Sequence, residues 1–172
     1  MSIRVIQLSD GWTVALDVAV WAVGGTVTGY VTHRLGPDAF RRDGWVTRLR
    51  PFEADGRFYE ERLRIKQWKG RLPEAGDLFP GGFSKRTLRK VDPAYLERFV
   101  RETRRAEVTH WIIIAMGPFF FLWNPWWLGA VMVAYGVVAN LPCLLAQRYN
   151  RGRLLRILQR VRARQGGSDP AD

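Results

Sequence analysis

The chain has 172 residues and carries 27 Lys and Arg against 16 Asp and Glu, a formal charge of +11 in the length of one domain. So large a positive excess excludes basic partners and leaves nucleic acid or an anionic lipid surface as the natural ones. One Cys and two His argue against a disulfide framework and against a structural zinc site, and no metal is expected.

Residues 11–31, GWTVALDVAVWAVGGTVTGYV, form an apolar run broken only by Asp17. That is close to the roughly 20 residues a membrane-crossing helix needs. The short leader before it offers Arg4 alone, countered by Asp10, and no A-x-A site follows, so the run reads as a retained anchor. Asp17 is either neutral or paired with a group on another helix. HRLGPD (33–38) matches the His-x4-Asp spacing of glycerolipid acyltransferases, but two fixed positions are few and Pro37 distorts the turn between His33 and Asp38. We read it as coincidence.

Residues 32–92 read as a basic cytoplasmic segment. In GRFYEERLRIKQWKGRLPEAG, Phe58, Ile65, Trp68 and Leu72 share one helical stripe flanked by Lys66 and Lys69, the pattern of an interfacial helix. A Pro/Gly loop follows and ends in Lys85, Arg86, Arg89 and Lys90. Asp92 and Pro93 then make a helix start, an N-cap with proline at the first helical position, opening a long helix over 93–123. Asn124–Pro125 gives a tight turn, and 126–147 is a third apolar run. From Arg148 to Arg164 every charged residue is basic, with Leu154, Leu155, Leu158 and Val161 on one side, as in an amphipathic helix on an anionic leaflet; 166–172 reads as disordered.

The fold class expected is therefore an all-α membrane protein of about three spans, with a basic cap. Trp12, Trp21, Trp123, Trp126 and Trp127 include several near run ends, as an interfacial belt requires. The positive-inside rule puts the N-terminus outside and the middle segment and C-terminus in the cytoplasm of a multi-pass cell-membrane protein. That topology accounts for the arginines without nucleic acid.

Glu107 and His110 stand one helical turn apart where charge gives way to hydrocarbon. Leu96, Phe99, Val100, Thr103, Ala106, Glu107 and His110 advance along a single helix face, so the pair faces protein. Folding the hairpin about Asn124–Pro125 brings His110 level with Asn140, ~20 Å from the tip at 1.5 Å per residue. A base, an acid that holds its tautomer, and amide or guanidinium donors are what O-acyl transfer needs. His110 and Glu107 are the candidate catalytic pair, and Asn140 and Arg148 the candidate oxyanion donors. No CxxC, HExxH, P-loop or G-x-S-x-G motif appears.

ETRRAEVTHW (102–111), WKGRLPEAG (68–76) and ANLPCLLAQRYNRGRL (139–154) resemble the glycosyl-4,4'-diaponeurosporenoate acyltransferases of carotenoid synthesis, from about Pro37 to Arg164. The resemblance implies transfer of a fatty acyl group to the C6 hydroxyl of a glucose linked to a carotenoid acid. Its partners would be an acyl donor such as acyl-CoA and a membrane-embedded glycosylated acceptor, with no cofactor. Within these motifs Asn150 and Trp111 join the substrate-binding candidates, and Lys69, Arg151 and Arg153 the candidates for the donor's phosphates. A non-catalytic protein binding anionic lipid, or an enzyme of another reaction on a lipid-linked sugar, remains open on the residues alone.

Overall fold

The computed structural model describes residues 5–72 and 92–166. Among these residues all regular structure is helical. The helices are α1 (Asp10–Arg34), α2 (Arg57–Glu61), α3 (Ile65–Trp68), α4 (Pro93–Met116) and α5 (Trp126–Gly166), with 3-10 turns at Pro37–Phe40, Pro51–Gly56, Lys69–Arg71 and Gly117–Leu122. Among the described residues two helices are long and apolar enough to cross a membrane, Asp10–Arg34 and Trp126–Gln165. The charged first half of α4 keeps it out of that class. The basic loop with Lys85, Arg86, Arg89 and Lys90, and the terminal stretch from residue 167, lie outside the described residues.

The chain forms two compact units, Met1–Gly36 with Val108–Leu144, and Pro37–Glu107 with Leu145–Asp172. In the first, α1 packs with the end of α4 and the start of α5. Its outer face is mostly hydrocarbon: Trp12, Val14, Val18, Val23 and Val27 are all exposed. Its inner face buries Thr13, Asp17 and Thr32. Asp17 Oδ1 accepts hydrogen bonds from Trp123 Nε1 at 2.7 Å and Asn124 Nδ2 at 2.8 Å, so its partners come from the turn before α5 and not from another helix. Thr32 Oγ1 lies 2.8 Å from Thr109 Oγ1. Glycines let the helices close up: a Cβ on Gly136 would stand 2.6 Å from the Trp21 ring, one on Gly129 2.5 Å from Phe121, and one on Gly24 would collide with the Met116 methyl. Trp21 stacks on Phe120 with ring centroids 4.8 Å apart. Helix α4 gives way to a 3-10 turn at Gly117, because Pro118 disfavours helical backbone in the residue before it.

The second unit has two hydrophobic clusters. Leu96, Phe99 and Val100 of α4 pack with Leu154 and Leu158 of α5; Tyr59 and Ile65 pack with Ala146 and Tyr149. Each large apolar side chain so buried contributes about 1.5–3 kcal/mol. Two expectations change here. The stripe Phe58–Ile65–Trp68–Leu72 is not one interfacial helix, because Arg64, at φ 46, breaks the chain into α2 and α3. Those side chains still share a face, but they turn it onto α5 around a fully buried Ile65. Likewise Leu154 and Leu158 cover α4 and are not left for a leaflet. The apolar run 126–147 and the basic tail 148–165 lie on one helix, since α5 runs unbroken for 41 residues through Pro142. The Asp92 cap forms as read, Oδ2 accepting from the Tyr95 amide at 3.1 Å.

Candidate active site

In the first unit His110 Nδ1 lies 2.8 Å from Asn140 Oδ1, and Asn140 Nδ2 donates to the Gly136 carbonyl at 2.8 Å. The two bonds fix the protonation pattern. A carbonyl only accepts, so the amide NH2 must face Gly136 and the amide oxygen must face the ring. Nδ1 therefore donates, and in the neutral imidazole the basic lone pair sits on Nε2. Asn140 is buried and His110 partly so. The group that sets the tautomer is thus a neutral carboxamide, where the sequence suggested the carboxylate of Glu107.

In the second unit Glu107, wholly buried, is held between two arginines. Oε1 pairs with Arg148 and Oε2 lies 2.6 Å from Arg151 Nη1. Arg148 grips Glu53 in bidentate fashion, Nε to Oε1 and Nη2 to Oε2 at 2.6 Å each. It also donates to the carbonyls of Val46 at 3.1 Å and Arg48 at 3.0 Å. With the Glu107 bond, that engages all five guanidinium N–H groups. Arg151 donates to the Thr47 carbonyl and is 0% exposed. Two carboxylates and two guanidiniums balance in charge, so each offsets the desolvation of its partners.

Glu53 completes the network by accepting from Tyr59 Oη and the Arg50 amide. Burial opposes its charge, but the Arg148 bonds, the Arg50 amide and Tyr59 outweigh that and hold the carboxyl below its ordinary range. Burial, reinforced by the Glu53 carboxylate, pushes the Tyr59 phenol well above its own. The expected roles of Arg148 and Arg151 therefore do not fit their surroundings. Arg148 has no N–H left for an oxyanion, and Arg151 has no surface to offer a phosphate.

The remaining candidates have other surroundings. Lys69 Nζ donates to Asn150 Oδ1 at 3.0 Å and lies 5.0 Å from the centre of the Tyr149 ring, so these two candidates bind each other. Arg153 is exposed on α5, and Trp111 is exposed on α4. Asp38 forms an exposed ion pair with Arg41 at 3.0 Å, and Gly36, at φ 74, ends the helix carrying His33.

The family model for glycosyl-4,4'-diaponeurosporenoate acyltransferase matches residues 42–160. The chain belongs to this family. It is similar to the acyltransferases of that name from Staphylococcus aureus, 30% identical over 131 residues to that of strain Newman (76% of this chain, 78% of the relative) and 29% identical over 129 residues to that of strain USA300 (74% and 78%). No solved structure matches the chain. The enzyme class read from the sequence, an acyltransferase, follows from that membership.

For this acyltransferase the matched segment contains His110, Asn140 and the whole Glu53–Glu107–Arg148–Arg151 network, whereas α1 lies before it. Sequence reasoning missed Glu53 and Gly136. Glu53 stands in the short 3-10 turn Pro51–Gly56, too brief to show a period, and its signal is an acid among arginines. Gly136 acts through its backbone, which no side-chain motif reveals.

Proposed function

We propose that the chain is a membrane-embedded O-acyltransferase that esterifies a sugar hydroxyl of a glycosylated carotenoid or a similar glycolipid. His110 is its general base and Asn140 the residue that orients it. The relatives' names supply the acceptor class, and the bond pattern around His110 supports the role. Nε2 takes the hydroxyl proton, the oxygen attacks the acyl thioester, and the thiolate leaves and recovers the proton from the imidazolium. The Asn140 oxygen stabilises the imidazolium through Nδ1–H, as an amide does in Cys-His-Asn sites. Glu107, Arg148 and Arg151 form the framework of the second unit. Lys69, Asn150 and Arg153 offer polar groups for the donor, acyl-CoA by its chemistry.

The topology proposed is three crossings, by α1, by the apolar end of α4 with its 3-10 turn, and by the apolar part of α5. The N-terminus then lies outside and the basic segments lie in the cytoplasm. The exposed valines and tryptophans of α1 and α5 support lipid contact.

The observation that carries the proposal is the His110–Asn140–Gly136 chain of hydrogen bonds. The test is mass spectrometry of lipid extracts from cells making a glycosylated carotenoid, with wild type or His110→Ala. Wild type yields a species heavier by one fatty acyl unit, and the variant, inserted at equal level, yields none. Product from His110→Ala at the wild-type rate removes the imidazole from the mechanism.

A further inference from the structure

Helix α1 lies outside the family-matched residues, yet two of its side chains meet residues beside the candidate pair, Gly136 behind Asn140 and Thr109 before His110. Behind Asn140 is the Gly136 carbonyl that fixes the amide. Against Gly136 is the Trp21 indole, so close that a Cβ there would come within 2.6 Å of Cη2 and 3.2 Å of Cζ2. That indole is itself wedged, stacked on Phe120 and set edge-on to Tyr135 with centroids 5.5 Å apart. Beside His110, the preceding residue Thr109 shares a 2.8 Å hydroxyl bond with Thr32, which is 3% exposed.

We infer that α1 is more than an anchor: Trp21 and Thr32 are positioning residues for acyl transfer. Trp21 backs the α5 turn that holds Asn140, and Thr32 ties down the α4 turn that carries His110. The inference rests on the His110 reading given above. Its physical basis is that a general base works only within hydrogen-bond reach of the proton it removes. Small displacements of the two turns change the Nδ1–Oδ1 distance directly.

The Thr32 hydroxyl lies 2.9 Å from the Thr28 carbonyl and 3.1 Å from that of Gly29. With its single proton directed there, its lone pairs accept from Thr109. Valine at 32 keeps the shape and deletes this acceptor, and serine keeps it.

The experiment measures kcat and KM of the full chain in lipid nanodiscs, with acyl-CoA and a glycosylated carotenoid. It compares Trp21→Leu, Thr32→Val, Thr32→Ser, Asn140→Ala, His110→Ala and the Trp21→Leu/Asn140→Ala double variant, with thermal unfolding of each. Trp21→Leu and Thr32→Val each lower kcat on the order of tenfold with KM nearly unchanged, the signature of misplacement, while Thr32→Ser stays at the wild-type rate. Trp21→Leu adds no further loss once Asn140 is alanine, because it acts through that amide. Additive losses in the double variant, or a folded Thr32→Val at full kcat, overturn the positioning role while an inactive His110→Ala leaves the base in place. Full turnover by His110→Ala overturns both. Should Trp21→Leu not fold, the valine–serine pair at 32 decides alone.

Discussion

Replacing Glu107 by alanine tests the buried network most sharply. In the native protein this carboxylate is wholly buried and ion-paired to both Arg148 and Arg151. Its loss takes from Arg151, itself 0% exposed, the carboxylate it is ion-paired to and leaves only the electrostatic pull of Asp43. Breaking one side of such a pair costs about 3–5 kcal/mol, because the stranded ion keeps its desolvation penalty. For a chain of this size that lowers the unfolding midpoint on the order of 10 °C. Glutamine does not rescue, since its NH2 then faces a guanidinium, donor to donor. Removing both partners, as Glu107→Met with Arg151→Met, leaves a neutral Glu53–Arg148 pair and returns stability to within about 1–2 kcal/mol of wild type. The assay is thermal unfolding in detergent followed by circular dichroism, with turnover measured on the folded fraction. A double variant as unstable as Glu107→Ala refutes the charge argument. A stable double variant without turnover returns Glu107 to the chemistry.

Asp17→Ala strips the acceptor from two donors, Trp123 Nε1 and Asn124 Nδ2, and costs about 1–3 kcal/mol for each group left unmet. Asp17→Asn, which keeps one oxygen, costs less; unfolding followed by tryptophan fluorescence ranks the two. Glu53 predicts a pH dependence. Its folded pKa is depressed, so its contribution is complete above the ordinary carboxylate range and is lost as pH falls through the lowered value. Glu53→Gln is less stable at neutral pH and loses that acid-side slope, which unfolding midpoints across a pH series read directly.

What the sequence disclosed follows from the range of each interaction. The apolar runs, the Asp92 cap and the Asn124–Pro125 turn are local, and the structure has them. Counting equal distances from that turn also brings His110 to Asn140, because the two antiparallel segments leaving one tight turn stay nearly in register despite the 3-10 turn between Gly117 and Leu122. The partners of Glu107 were out of reach for the same counting. Arg148 and Arg151 belong to a helix that passes Pro142 without ending, and Glu53 comes from a stretch whose carbonyls at 46, 47 and 48 follow no period. Periodicity also showed which residues of 57–72 share a face, but not whether lipid or α5 receives it. A stripe of apolar side chains has the same spacing in either case.

The glycine sockets of the first unit have a consequence for how this lineage can drift. Where Gly136 faces Trp21 and Gly129 faces Phe121, the cavity on one helix is filled by a ring from another segment. Neither member can grow without the other shrinking. Substitution at such places is a two-step path through a strained intermediate, so homologues bearing alanine at 136 should carry a smaller side chain at 21. Residues as far apart in the chain as 21 and 136 are thereby made to evolve as couples.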